Sequence, residues 1–132
     1  MTTSDTITFS PTNELLFPGY VSFTSEDAIT YLTPTVGPTP ILLVTRMAQY
    51  VYLAEHVEPQ PITFEYTELA RTFGLNHTTL RKALHRAVMF DLLRATPDDH
   101  LFRIPRGVRM KRQWVEHLPT YLRDSFGYAV AP

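Results

Sequence analysis

Apolar and polar positions change period several times along the chain, and each change marks a predicted element. Between Pro40 and about His56 most of a helical circumference is apolar, through Ile41, Leu42, Leu43, Val44, Met47, Val51, Leu53 and Ala54. Thr45, Gln49 and His56 form one narrow polar stripe. A helix apolar over so much of its surface is covered on more than one side. It therefore lies beneath the N-terminal segment or forms a subunit interface. Thr39 offers a capping hydroxyl and Pro40 a first helical position, and the Pro59 and Pro61 region ends the run. Residues 62–64 then read as a short strand. A helix follows over 66–73, with Leu69, Ala70 and Phe73 on one face. Gly74 suits a left-handed C-cap, and Asn76 suits the N-cap of the next helix, from His77 to about Phe90. Leu80, Ala83, Leu84, Ala87 and Val88 give that helix its apolar stripe.

Two short apolar runs, 92–96 and 101–104, flank Pro97-Asp98-Asp99-His100, a hairpin signal. From Arg109 to Phe126 the pattern is helical again, with Trp114, Val115, Leu118, Tyr121, Leu122 and Phe126 on one side. Pro119 interrupts it, because its ring opposes the carbonyl of Val115. Two short helices and one kinked helix both fit. The first forty residues are rich in Thr, Ser and Pro, and the first dozen read as disordered or arm-like. Residues 20–23 suit a short strand after the Pro18-Gly19 turn. Thr24 or Ser25 then caps a short helix over 26–32, and proline holds 35–39 as an extended linker. The expected class is mainly α with a small β-hairpin, an α+β arrangement. Its expected parts are an N-terminal extension (1–38), a central domain (39–106) and a C-terminal helical tail (107–132).

Composition narrows the chemistry. A chain of 132 residues with 44% hydrophobic residues suits one compact domain. It has no cysteine, which excludes disulfides and thiolate metal sites. The start, Met1-Thr2-Thr3-Ser4-Asp5, lacks a signal-peptide layout, and the apolar stretch 41–53 is interrupted by Arg46 and Gln49. That stretch is also shorter than the roughly 20 residues of a membrane span. The expectation is a soluble cytoplasmic protein with no membrane partner. The histidines at 56, 77, 85, 100 and 117 have no i, i+4 metal spacing and no accompanying carboxylate cluster. Neither a glycine-rich phosphate loop nor a serine elbow is present. No metal, no cofactor and no enzymatic activity are expected.

The net charge of −1 conceals an asymmetry. Residues 1–40 carry Asp5, Glu14, Glu26 and Asp27 and no Lys or Arg. Residues 71–112 carry ten cations against Asp91, Asp98 and Asp99, a balance of +7. A basic block within a neutral chain suggests a phosphate-rich partner.

The run Glu68-Leu69-Ala70 followed by Phe73-Gly74-Leu75-Asn76 resembles the second helix and turn of the winged helix-turn-helix domains of bacterial and phage transcription regulators. Thr79-Leu80-Arg81-Lys82-Ala83-Leu84-His85-Arg86 resembles their recognition helix. The resemblance covers about residues 39–106. Ala70 must be small where the two helices cross. Leu75, Leu80 and Leu84 anchor the recognition helix. Asp91 replaces the glycine usual in the family, and Asp98 and Asp99 make the wing tip acidic. The resemblance implies sequence-specific binding of double-stranded DNA by a small, repressor-like regulator. His77, Thr78, Thr79, Arg81, Lys82, His85 and Arg86 are the candidate contacts on the recognition helix, and His77, Thr78 and Lys82 are those for base edges. Arg86 and Arg71 suit phosphates. Arg94 and Arg103 flank the hairpin, and Arg106, Arg109, Lys111 and Arg112 form a further basic run. A homodimer through the helix from Pro40 to His56, through the tail from Trp114 to Phe126, or through both would favour palindromic sites. The alternative is a protein-interaction module in which the acidic N-terminus and first helix bind a partner.

Overall fold

The computed structural model describes residues 5–53 and 58–126, and its elements form a small α+β protein. Strand β1 (Thr6–Pro11) opens the chain and strand β2 (Tyr20–Ser22) follows. Helices α1 (Glu26–Val36) and α2 (Pro38–Tyr52) come next, then β3 (Ile62–Glu65), α3 (Tyr66–Thr72) and α4 (His77–Met89). Strands β4 (Arg94–Ala95), β5 (Leu101–Ile104) and β6 (Gly107–Arg109) precede two short helices, α5 (Arg112–Glu116) and α6 (Thr120–Ser125).

The main sheet has the order β3-β1-β5-β4, and it is larger than the expected hairpin. Its centre is β1, the segment expected to be an arm. It pairs antiparallel with β3 (Ile7 opposite Phe64) and parallel with β5 (Phe9 opposite Phe102). The reason is visible in Thr6-Ile7-Thr8-Phe9-Ser10, a strict alternation. Ile7 and Phe9 point inward with almost no exposure, which is what a half-buried strand requires. A Thr- and Pro-rich composition masked that period. A separate two-stranded ribbon joins β2 to β6, with Val21 opposite Val108. Arg109 thus lies in a strand, where the sequence pattern suggested a helix.

Helix α1 runs on through Pro34 to Val36, past the expected end at residue 32. Proline's fixed φ is compatible with a helix, and the lost hydrogen bond falls on the exposed side, where water replaces it. The expected linker 35–39 is therefore reduced to Gly37, whose φ of 103° makes the corner between the helices. Pro38, rather than Pro40, takes the first position of α2.

Helix α2 is the centre of the core. Ile41, Leu43, Val44, Met47, Ala48 and Val51 are buried against α1, α4, β1 and β5. Thr45, expected on the polar stripe, is buried as well, and its hydroxyl donates to the Ile41 carbonyl at 2.8 Å. The outward stripe is instead Leu42, Arg46, Gln49 and Tyr50. One continuous cluster joins β1, β2, α1 and the central segments, so residues on both sides of position 38 share a single core. Trp114 and Leu118 are buried too, Trp114 against Phe90 at 5.8 Å between ring centres. Trp114 and Leu118 thus belong to the chain's own core, while Leu42 and Tyr50 of α2 and Tyr121 of α6 stay exposed. His56 lies outside the described residues, and α2 ends at Tyr52. Pro119 separates α5 from α6, so the tail forms two short helices.

Candidate nucleic-acid interface

Two left-handed residues set the position of α4. Gly74, at φ 66°, ends α3, and the Leu75 amide returns to the Ala70 carbonyl at 2.9 Å. Asn76 then caps α4, its side-chain oxygen accepting from the Thr79 amide at 2.8 Å. At the other end Asp91 adopts φ 62°, and the Leu92 amide bonds the Ala87 carbonyl at 2.9 Å. Asp is one of the few residues that reach this region at modest cost, so it can stand where glycine was expected. Leu80, Ala83, Leu84 and Ala87 bury one stripe of α4. Successive positions at 100° then place Thr78, Lys82, His85 and Met89 on the opposite, exposed ridge. Met89 is 63% exposed and was not among the expected contacts. Its helical phase, two turns beyond Lys82, is the signal that could have found it.

The expected site residues divide by what they touch. Among the described residues, Thr78, Lys82, Arg109 and Arg112 are exposed and have no side-chain partner within the chain. Thr79 is likewise exposed. His77 is held at the helix start, its Nε2 at 3.2 Å from Thr67 Oγ1 and its ring edge-on to Tyr66. Arg71 pairs with Glu68 at 3.3 Å, with both side chains well exposed. Arg94 pairs with Glu14 at 2.7 Å, and Arg103 donates to the Pro11 carbonyl at 3.4 Å. Arg106 stacks over Tyr52, 4.3 Å from the ring centre. Lys111 reaches Asp91 at 3.3 Å and lies over Trp114. The basic block is therefore partly neutralised from within, as pattern alone could not reveal.

Arg86, expected on a phosphate, is exposed but tied to the end of α1. Its guanidinium donates to the carbonyls of Val36 and, at 3.2 Å, Thr35. It also lies over Phe90, 5.0 Å from the ring centre. It caps the negative end of α1, a favourable place for a cation. Arg86→Ala should destabilise the fold by about 1–2 kcal/mol. Chemical denaturation measures that loss, and an unchanged midpoint would contradict it.

The basic run and the start of α4 do not adjoin. Lys111 meets Asp91 beyond the C-terminal end of α4. His77 lies fourteen residues before Asp91, about 20 Å away along the axis of α4.

Between α4 and the β4–β5 hairpin lies a cavity of about 430 Å³. Leu84, Val88, Ala95 and Phe102 give it an apolar side. Arg81, His85, His100, Asp5, Asp99 and Tyr66 supply polar groups. Tyr66 is 9% exposed, and its hydroxyl is buried without a hydrogen-bond partner. Such an orphan group costs about 1–3 kcal/mol. Burial raises the Tyr66 pKa above its ordinary value, and the nearby Arg81 cation partly offsets this. Arg81 is best described as lying over the ring, 5.8 Å from its centre, because its geometry falls short of a hydrogen bond to the hydroxyl. At the hairpin tip, Asp98 is committed to the turn and accepts from the His100 amide at 2.8 Å.

Among the described residues no three His, Asp or Glu side chains are placed to hold a metal ion, and no described helix is long and apolar enough to cross a membrane. No protein-family model, curated protein or solved structure matches this chain.

Proposed function

We propose that this chain is a winged helix-turn-helix protein that binds double-stranded DNA in a sequence-specific manner and acts as a small, repressor-like transcriptional regulator in the cytoplasm. The observation that carries the reading is the outer ridge of α4. Thr78 and Lys82 stand there exposed, free of partners and capped by Asn76, beside a β-hairpin. The order α2, β3, α3, turn, α4, β4, β5 supports it, since a recognition helix followed by a wing needs that succession. Thr78, Lys82 and His77 face base edges, with Thr79 and His85 flanking them. Arg109 and Arg112 reach phosphates, which fix position without reading sequence. Catalysis plays no part in this function, and DNA is the partner. A homodimer would use what α1 and α2 leave outside, Ile29, Leu42 and Tyr50, all at least 45% exposed.

The test is a mobility-shift assay with duplexes selected from a random library, repeated at several salt concentrations. Affinity should fall linearly on logarithmic axes. Arg109→Ala and Arg112→Ala should each flatten the slope by about one unit. Affinity no greater than that of a neutral control protein at low salt would end the proposal.

One observation favours a second reading, a protein-interaction module. Leu15, Leu16 and Phe17 form a loop with exposures of 70%, 42% and 56%. Paired Leu15→Ser and Phe17→Ser changes that leave every binding property of the protein intact would remove that reading.

A further inference from the structure

We propose that the cavity between α4 and the β4–β5 hairpin is a binding site for a free α-amino acid with a large apolar side chain. Three charged side chains face this space, Arg81, Asp5 and Asp99, and among the described residues none pairs with another. Unpaired charges of both signs around one cavity match a ligand that carries both signs. The ligand carboxylate meets the Arg81 guanidinium, which lies over the Tyr66 ring. Its ammonium meets the carboxylates of Asp5 and Asp99. The side chain lies on Leu84, Val88 and Phe102. A space of about 430 Å³ lies within the range of small-ligand pockets, and it sets one apolar wall against a ring of polar and charged groups. Tyr66 lines the cavity beneath Arg81, with its hydroxyl buried out of reach of an occupant. Because the site joins a helix to the hairpin, an occupant also fixes the spacing between them.

The experiment is a titration of the intact protein, followed by amide NMR shifts, with L-phenylalanine, L-leucine and L-tryptophan in turn. Phenethylamine and 3-phenylpropionate serve as phenylalanine analogues lacking one charge each. At least one amino acid should give saturable shifts centred on Tyr66, Leu84 and Phe102. Phenylalanine should bind about tenfold more tightly than either analogue. Arg81→Gln should weaken phenylalanine and 3-phenylpropionate but leave phenethylamine unchanged. Asp99→Asn should weaken phenylalanine and phenethylamine but leave 3-phenylpropionate unchanged. Both positions are exposed, so the variants fold. Absence of saturable shifts from all three amino acids up to about 10 mM would overturn the proposal. So would equal affinity for phenylalanine and its two analogues. No DNA enters the titration, so its failure is separate from failure of the DNA-binding reading.

Discussion

Phe9→Ala is expected to destabilise the folded chain by about 3–5 kcal/mol, measured by chemical denaturation. The Phe9 ring is wholly buried and stacks against Phe102 of β5, with 6.2 Å between ring centres. Its strand carries pairings on both sides, to β3 and to β5, so the cavity would open where two strand pairs meet. The sheet around it cannot collapse to fill that space without disturbing both registers. A change below about 1 kcal/mol would show that β1 is peripheral, against the placement at the sheet centre. Thr8→Ala, by comparison, touches a half-exposed position whose hydroxyl meets Thr63 at 2.8 Å. It should cost less than about 1 kcal/mol.

Gly107→Ala is the second large effect, about 1–3 kcal/mol of destabilisation. A methyl group at this position would lie inside the contact distance of the Val21 carbonyl oxygen and 2.7 Å from Leu16 Cδ1. Leu16 can move, but the Val21 backbone is held in the β2–β6 ribbon, next to the pairing of Ser22 with Gly107. The strain is therefore steric. Gly74 presents the contrasting case, with nothing within 4 Å of an added methyl but a φ of 66°. There the cost is conformational, about 1–2 kcal/mol. Thermal or chemical unfolding of Gly107→Ala at wild-type stability would contradict the packing of the ribbon.

The elements with strong local signals were legible in the sequence. Gly74, Asn76 and the Leu80-Leu84 stripe located α3, the turn and α4 to within a residue. Pro119 divided the tail, and Tyr20 and Val21 marked β2. At β1 the Thr- and Pro-rich composition hides the period, in which Ile7 and Phe9 alternate with hydroxyl residues as a strand should. Other features were not legible because they depend on contacts distant in sequence. The partners of Arg86 are about fifty residues away, Arg94 meets Glu14, and Arg106 lies on Tyr52. No spacing rule reports such pairings, and they decide which cations of the basic block remain free. The cavity beside α4 is likewise assembled from Asp5, α3, α4 and the hairpin, four separate stretches of chain.

DNA recognition through the outer ridge of α4 is the central claim, and Lys82 is its most exposed commitment. The direct measurement is the ratio of affinities for a selected duplex and a scrambled duplex, by fluorescence anisotropy at one fixed salt concentration, for wild type and Lys82→Ala. Loss of one base-edge contact is worth about 1–3 kcal/mol. The ratio should therefore fall by about 5- to 150-fold, with little change in affinity for the scrambled duplex. An unchanged ratio would place sequence reading elsewhere on the molecule and contradict the account.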